Sequence, residues 1–298
     1  MNRTDELERR AFWAQRNDEA WRFMFEKVLP YPVEECGEPL VSLPHAAASA
    51  GVRVAFADRP HVDGLERLYY LREGQISRFL DAAAAFNSRG WAIRVEDGFR
   101  DRDIQKRLGR APFIFDVIVD RLIWELGGEP LTPEFVFRRC SGLVATVPKF
   151  ATHMSGSAID ISVVHLDDLD HEVNRGAPYV ELSELTPMDS PFISAQARSN
   201  RLEINALMDS CGFVAYPYEF WHYSSGDAYE QVLRGTGRPA KYGPVDADLA
   251  TGRVTRIAED ASEPLSSIHE IRGELARALK NRQMREETAS NWTEPEPS

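Results

Sequence analysis

Apolar residues recur at steps of three and four positions in six stretches of the chain. This spacing predicts helices over residues 5–28, 66–88, 101–110, 113–126, 195–210 and 262–284. Pro30 ends the first of these helices, because a proline inside a helix removes a backbone donor and clashes with the preceding turn. Gly90 and Gly212 follow the second and the fifth, and glycine there favours a helix end.

A second pattern, in which apolar residues alternate with others, predicts short strands. It occurs at residues 52–56 and in the stretch WAIRVED, residues 91–97. Residues 158–166 are rich in β-branched side chains, which fit a pleated sheet. Residues 213–224 are typical of a strand, a turn and a second strand.

Helices and strands are interleaved irregularly, and several of the strands are short. This arrangement favours an α+β fold over a doubly wound sheet. Residues 33–64, 127–152 and 167–192 are rich in glycine, proline or acidic residues and predict irregular connections. A chain of 298 residues is long enough for one large domain or two small ones.

Charge excludes several classes of partner. The chain has 35 basic and 47 acidic residues, a net charge of −12, so it lacks the basic balance expected for nucleic acid binding or a polybasic membrane anchor. No apolar stretch approaches the roughly 18 residues of a membrane span. The N-terminus lacks a secretory signal, which predicts a soluble, cytoplasmic protein. Cys36, Cys140 and Cys211 are too scattered for a disulfide framework or a zinc ribbon.

Two short motifs offer the ligands of a metal site. The stretch THMSGSAID contains His153 and Asp160, with Gly156 between them to let the backbone turn. The stretch EFWH adds Glu219 and His222. A catalytic zinc site needs three nitrogen or oxygen ligands, an open position and a nearby carboxylate. Each motif alone also fits a chance spacing, so the residues by themselves leave that alternative open.

The order of these motifs resembles the M15 family of zinc peptidases, most closely its D-alanyl-D-alanine dipeptidase branch. That family has Ser-x-His-x-x-Gly-x-x-x-Asp, followed further along by Glu-x-Trp-His. Here the two motifs are ATHMSGSAID and EFWH. Asp-Gly-Phe-Arg, residues 97–100, is similar to the family's Asp-Gly-Tyr-Arg and also follows a predicted strand. The resemblance extends over about residues 30–225.

The resemblance implies a central antiparallel sheet with helices around it and a zinc cleft over the sheet. It implies one Zn²⁺ per chain, held by His153, Asp160 and His222. Glu219 would be the general base that takes a proton from the attacking water and passes it to the leaving amine. Arg100 would stabilise the oxyanion, which is often a large part of catalysis.

Several neighbours of these residues leave alternatives open. Without the resemblance, Arg100 would be expected to form a surface salt bridge with an acid such as Asp97. Asp97 itself would either orient Arg100 or cap the helix at 101. Trp221 would shape the pocket or pack as a core aromatic residue. Thr152 directly precedes the first ligand, whereas the family has a serine two positions before it, and we expect Thr152 to line the substrate pocket.

One departure from the family concerns the amino end of the substrate. The dipeptidase branch has Pro-Met-Gly-x-x-Phe-Asp, whose Asp pairs with the free ammonium of the dipeptide. Here the stretch is PMDSPFI, with Ile193 in the place of that Asp. Asp189, four residues earlier, could substitute for it, and we expect both residues in the substrate pocket. A buried ammonium without a partner is costly. We therefore expect a small peptide or peptide-like substrate with a blocked or extended amino end.

The sequence thus predicts a zinc metallopeptidase similar to a D-Ala-D-Ala dipeptidase or carboxypeptidase. A zinc-stabilised binding domain without catalysis, or a structural protein without metal, are the alternatives. Glu219 and Arg100 favour the enzyme, because a scaffold needs no acid beside an open metal position. The predicted organisation is an N-terminal helical extension, a catalytic domain, a C-terminal helical extension and a disordered tail, at residues 1–29, 30–250, 251–284 and 285–298. The added helices could form a homodimer contact.

Overall fold

A computed structural model of the chain describes residues 3–291, which form a central sheet with helices packed around it. The strands in this range are β1 (Leu40–Ser42), β2 (Val54–Phe56), β3 (Tyr70–Arg72), β4 (Trp91–Asp97), β5 (Ala158–His165), β6 (Val214–Ala215), β7 (His222–Ser224), β8 (Val245–Asp248) and β9 (Arg253–Arg256). The α-helices in this range are α1 (Arg3–Arg22), α2 (Leu43–Ala50), α3 (Ile76–Ser88), α4 (Arg102–Leu108), α5 (Pro112–Glu125), α6 (Pro133–Val144), α7 (Ala195–Ser210), α8 (Ala228–Arg234) and α9 (Ile268–Asn291). The predicted α+β class is confirmed.

The central sheet has five strands in the order β2–β4–β5–β7–β6. The pairs β4–β5, β5–β7 and β7–β6 are antiparallel, but β2 runs parallel to β4. The sheet is therefore mixed, and the expectation of a wholly antiparallel sheet is wrong. The chain between β2 and β4 is long and includes α3, which allows the crossover that a parallel pair needs.

Several elements lie where the apolar pattern predicts them. The strand β4 is the WAIRVED stretch, α7 has the predicted bounds, and β5 ends one residue earlier than predicted. Alternation along β5 also sets the faces of the sheet. Ile159, Ile161 and Val163 enter a core with side chains of α3 and α7, so Asp160 between them faces the other side.

The predicted helix over 66–88 begins too early. Its first third contains β3, in which Leu71 pairs with Val41 of β1, and α3 begins only at Ile76. Leu71 is fully buried in the same core as α3, so burial alone did not distinguish a strand from a helix.

Residues 127–152 were predicted as an irregular connection, but they contain α6. Pro133 occupies the first turn of this helix, where its missing backbone donor costs nothing. The side chain of Thr132 accepts a hydrogen bond from the backbone N–H of Phe135 and caps the helix. The prolines that suggested a loop therefore mark a helix start.

The N-terminal helix packs against the rest of the fold. Trp13 of α1 is buried, and Asp18 accepts hydrogen bonds from Arg138 and Arg139 of α6, at 3.0 and 2.6 Å. Gly142 of α6 lies close to the backbone of α1. A π-helical segment, Phe23–Val28, continues α1.

Residues 166–194 join β5 to α7, and the described chain forms no helix or extended strand there. This connection, here called the roof, is held by buried arginines. Arg201 of α7 donates to the backbone carbonyls of Arg175, Leu185 and Pro187, at 2.7, 2.9 and 2.8 Å. Arg175 donates to the carbonyl of Ile161 in β5 at 2.8 Å. These hydrogen bonds fix the backbone of the roof, which has no regular secondary structure.

The C-terminal helix α9 begins six residues later than predicted and continues to Asn291. Of the tail predicted as disordered, residues 292–298 lie outside the described residues. No helix among the described residues has the length and apolar character needed to cross a bilayer.

Candidate metal centre

The three predicted metal ligands meet on one face of the central sheet. Asp160 on β5 is the direct cross-strand neighbour of His222 on β7. His153 lies in a single 3₁₀ turn, Thr152–Ser155, just before β5. Gly156 closes this turn with φ +65°, a left-handed conformation that glycine adopts without strain. Strand register and one glycine therefore bring the three side chains together.

The facing atoms of these side chains are close. The carboxylate atom Oδ1 of Asp160 lies 3.2 Å from His153 Nε2 and 3.0 Å from His222 Nδ1. One ligand atom from each of the three residues lies within 4.8 Å of the other two, and all three residues are buried. Two imidazole nitrogens and one carboxylate oxygen form a donor set that suits zinc.

Both imidazoles are held from behind by a second hydrogen bond. His153 Nδ1 donates to the carbonyl of Gly98 at 2.6 Å, and His222 Nε2 lies 3.0 Å from Thr152 Oγ1. Such outer partners fix which ring nitrogen is free to bind a metal. Thr152, predicted as a pocket residue, therefore lies against a ligand as well as lining the cavity.

The second carboxylate oxygen of Asp160 also has partners. It accepts hydrogen bonds from Arg100 Nη2 and from the hydroxyl of Tyr179, each at 3.1 Å. Burial opposes the charged form, but the neighbouring His153 and His222 hold the pKa of Asp160 well below its usual range. Asp160 is thus a carboxylate with one oxygen left for a cation.

Asp97 on β4 is the cross-strand neighbour of Asp160 on the other side, so two acids lie next to each other in the sheet. Arg100 lies between them and donates from Nε to Asp97 Oδ2 at 2.8 Å. This ion pair is buried, not on the surface, and it leaves Arg100 in the cavity lining. Asp97 orients Arg100, while the side chain of Asp101 caps α4 through the N–H of Ile104.

Glu219 lines the same cavity, and its Oε2 atom lies 4.0 Å from His222 Nδ1. Burial raises the pKa of Glu219 to about 7, although the neighbouring His222 opposes the rise. A carboxylate with a pKa near neutrality is suited to accept and return a proton. Glu219 lies beside the three candidate ligands, and its role as a general base stays a prediction.

These residues surround a cavity of about 390 Å³. The strands β4, β5 and β7, which carry Asp97, Asp160 and His222, form its floor, and Tyr179 belongs to the roof. Trp221 lines the cavity and packs edge-on against Tyr179, with ring centroids 5.6 Å apart. Trp221 is therefore both a pocket residue and a buried aromatic.

Two predicted pocket residues lie elsewhere, which corrects that expectation. The side chain of Ile193 fills the space beside Gly176, where an added Cβ would meet Ile193 at 2.5 Å. The side chain of Asp189 is 61% exposed and pairs with Arg16 of α1. Neither residue lines the cavity of the metal ligands. The unusual stretch PMDSPFI therefore does not form this pocket.

Two residues of the site were missed or misjudged from the sequence. His61 was not identified as a site residue from the sequence, and it is buried with its Nε2 2.9 Å from Asp97 Oδ2. Tyr179 lies in the roof, in a stretch without periodicity or motif, so no sequence signal identified it. Both residues act through contacts between segments that are distant in the chain.

Comparisons with known proteins agree with the resemblance. Residues 138–236 match the family model of Peptidase M15, described as D-ala-D-ala dipeptidase. This region contains all three candidate ligands and Glu219.

Among curated proteins, the chain is 29% identical to the D-alanyl-D-alanine dipeptidase of a Synechocystis strain in a match 257 residues long that covers 73% of this chain and 96% of that protein. It is 32% identical to the Escherichia coli protein of the same name over 90 residues, which are 30% of this chain and 46% of that protein. A similar solved structure is the LdcB LD-carboxypeptidase, at 19% identity and a TM-score of 0.36, covering 71% of this chain and 80% of that one.

Proposed function

We propose that this chain, which belongs to the M15 family of peptidases, is a zinc-dependent hydrolase that cleaves an amide bond in a small peptide. The observation that carries the proposal is the convergence of His153, Asp160 and His222 beside the buried carboxylate of Glu219. A structural metal site has no need of an acid with a pKa of about 7 in the same cavity.

One zinc ion would be held by His153 Nε2, Asp160 Oδ1 and His222 Nδ1. The fit is supported by the donor set and by the second hydrogen bond that orients each imidazole. When bound, zinc would act as a Lewis acid on the scissile carbonyl and make a water molecule more acidic. The three ligands also line the cavity, so a substrate can reach them.

Glu219 carries the proton through the reaction. Its carboxylate takes one proton from the attacking water while the water oxygen bonds to the carbonyl carbon. The C–N bond then breaks, and Glu219 returns the proton to the leaving nitrogen. The products of these steps are a carboxylic acid and an amine. Transfer of the acid's proton to the amine then gives a carboxylate and an ammonium, so atoms and charge balance without another reactant. A positioned acid–base group of this kind contributes about a hundredfold or more in rate.

Arg100 would stabilise the negative charge that develops on the carbonyl oxygen. Three of its five N–H groups donate to Asp97, Gln105 and Asp160, which leaves two for a substrate. The two acids fix the guanidinium before the substrate arrives, and a fixed cation in a buried site is most effective against developing charge.

The substrate class is proposed from the relatives and from the cavity. Two relatives carry the name D-alanyl-D-alanine dipeptidase, so D-Ala-D-Ala is the first compound to test. A peptide with a blocked or extended amino end is the second.

The test measures zinc content and hydrolysis in matched variants. We expect about one zinc per chain in the wild type and in His45→Ala, a surface histidine of α2. His153→Ala should lose the metal. Glu219→Gln should keep the metal and lose hydrolysis by at least about a hundredfold, because only the proton acceptor changes. A Glu219→Gln protein with undiminished hydrolysis, or a wild type that binds no zinc, would refute the proposal.

A further inference from the structure

The floor supplies the polar side chains of the cavity, but a different wall is apolar. That wall comes from α4, α5, α6 and the roof, and its side chains are Leu108, Phe113, Ile114, Leu143, Val180 and Leu182. A group bound against it would lose contact with water and gain little but apolar contact. The proposed reaction at Glu219 and the zinc ligands does not use this wall.

Part of the apolar wall is exposed to solvent at the cavity mouth. Phe113 is 62% exposed and Val180 is 39% exposed, although both line the cavity. A single exposed apolar residue needs no explanation. Two exposed apolar residues that come from different elements and border the same cavity indicate a surface on which a ligand can bury apolar area.

The size of the cavity also indicates a ligand larger than a dipeptide of two alanines. At about 390 Å³ it falls within the roughly 300–1,000 Å³ of pockets that enclose drug-sized ligands. A dipeptide of two alanines is much smaller than such ligands and has only methyl side chains. It would leave most of the apolar wall uncovered.

The acids of the cavity leave no partner for a free ammonium. Those that line it among the described residues are Glu96, Asp97, Asp160 and Glu219. Glu96 accepts a hydrogen bond from Arg94 at 2.8 Å, and Asp97 is paired with a buried guanidinium. Asp160 and Glu219 are the proposed ligand and proton acceptor. An ammonium group in this cavity would therefore remain unpaired, which is costly.

The basic residues of the lining strengthen this conclusion. Arg59 and Arg67 line the cavity together with Arg100, so a free ammonium in the cavity would lie near three positive side chains. Arg67 is held by the carbonyls of Arg59 and Glu96, at 2.7 and 2.6 Å, which fixes its positive charge there. An amide at the amino end carries no charge and avoids this repulsion.

We infer that the preferred substrates are N-acylated amino acids or peptides whose acyl group is bulky and apolar, and that this group lies against the wall of α4, α5, α6 and the roof. The inference rests on the proposed hydrolase function and narrows its substrate class. An uncharged amino end explains the missing counter-ion, and an apolar acyl chain explains the wall and the size of the cavity.

The test compares three substrates on the zinc-loaded protein: D-Ala-D-Ala, its N-acetyl derivative and its N-hexanoyl derivative. Release of D-alanine gives kcat/KM for each. Burial of a methylene is worth roughly a fourfold gain, so we expect the hexanoyl compound to exceed the acetyl compound by at least about thirtyfold. The free dipeptide should be the poorest of the three.

A matched pair of variants locates the effect. Phe113→Ala should reduce the preference for the hexanoyl compound by about fivefold to tenfold, because it removes an apolar contact at the mouth. Val117→Ala, one turn further along the same exposed face of α5 and outside the cavity lining, should leave the preference unchanged. Equal effects of the two variants would overturn the placement of the acyl group.

Failure of this inference can be told apart from failure of the proposed function. If the free dipeptide is cleaved best, the proposed hydrolase function is supported and the inferred preference for an acyl group is refuted. If no compound is cleaved, the proposed function is refuted. The inference about the acyl group is then tested separately, by calorimetric measurement of N-hexanoyl-D-alanine binding to zinc-loaded Glu219→Gln. Binding no tighter than that of N-acetyl-D-alanine would overturn it.

Discussion

The floor of the cavity is held by backbone hydrogen bonds between strands, whereas its roof is held by arginine side chains. On the floor, Asp97, Asp160 and His222 are neighbours because β4, β5 and β7 pair in a fixed register. In the roof, carbonyls of an irregular segment meet the guanidinium of Arg201. The candidate ligands on the floor therefore depend on the register of paired strands, whereas the part of the chain that covers the cavity depends on side-chain hydrogen bonds to an irregular backbone.

This difference predicts that substitutions in the floor and in the roof impair different properties of the protein. A floor variant should lose metal and activity together. A roof variant at a residue that does not contact a candidate ligand should lose stability or substrate binding and keep its metal. Three substitutions test this separation.

The largest effect is expected on the floor, for Asp160→Asn. The amide is a weaker ligand and leaves Arg100 without one of its two acids. We expect zinc affinity to fall by at least about a hundredfold and kcat/KM to fall by roughly a thousandfold. Chelator competition and substrate kinetics measure the two quantities. Asp167→Asn, an exposed acid just beyond β5, is the control and should change neither.

An intermediate effect is expected in the roof, for Arg201→Met. The substitution removes the donors of at least three buried carbonyls, at about 1 kcal/mol each, so the free energy of unfolding should fall by about 3 kcal/mol. Urea denaturation measures this change, and zinc content should remain near that of the wild type.

Arg198→Met is the matched control for that prediction. Arg198 lies on the same helix and donates to one carbonyl, that of Ser190, at 3.3 Å. The Arg198→Met substitution should lower the free energy of unfolding by less than about 1 kcal/mol. Loss of zinc from Arg201→Met at unchanged stability would show that floor and roof are not separate.

The smallest effect is expected for Tyr179→Phe, which removes a hydrogen bond between roof and floor. The hydroxyl of Tyr179 holds the oxygen of Asp160 that does not face the histidines. Loss of such an outer partner typically lowers metal affinity by about tenfold. Chelator competition again provides the measurement, with Tyr218→Phe, outside this cavity, as the control. Unchanged affinity would mean that Arg100 alone orients the carboxylate.

The same division explains what the sequence could predict. The candidate ligands follow from two motifs, β4 and α7 follow from periodicity, and β5 follows from its β-branched side chains, because these features are encoded over a few neighbouring residues. Tyr179 and His61 depend on which distant segments meet, and no spacing records that. The helix α6 was missed for a different reason, since proline at a helix start resembles proline in a loop.

The N-terminal helix has a consequence for where the chain can be shortened. Arg9 of α1 pairs with Glu184 of the roof at 2.9 Å, and Phe12 packs edge-on against Phe192. A chain that began at residue 30 would keep every candidate metal ligand and the proposed proton acceptor. It would also expose the face of α6 beside Gly142 and release one side of the roof. Such a truncated protein would keep all the proposed reacting groups, but α6 and the roof would lose the helix that packs against them.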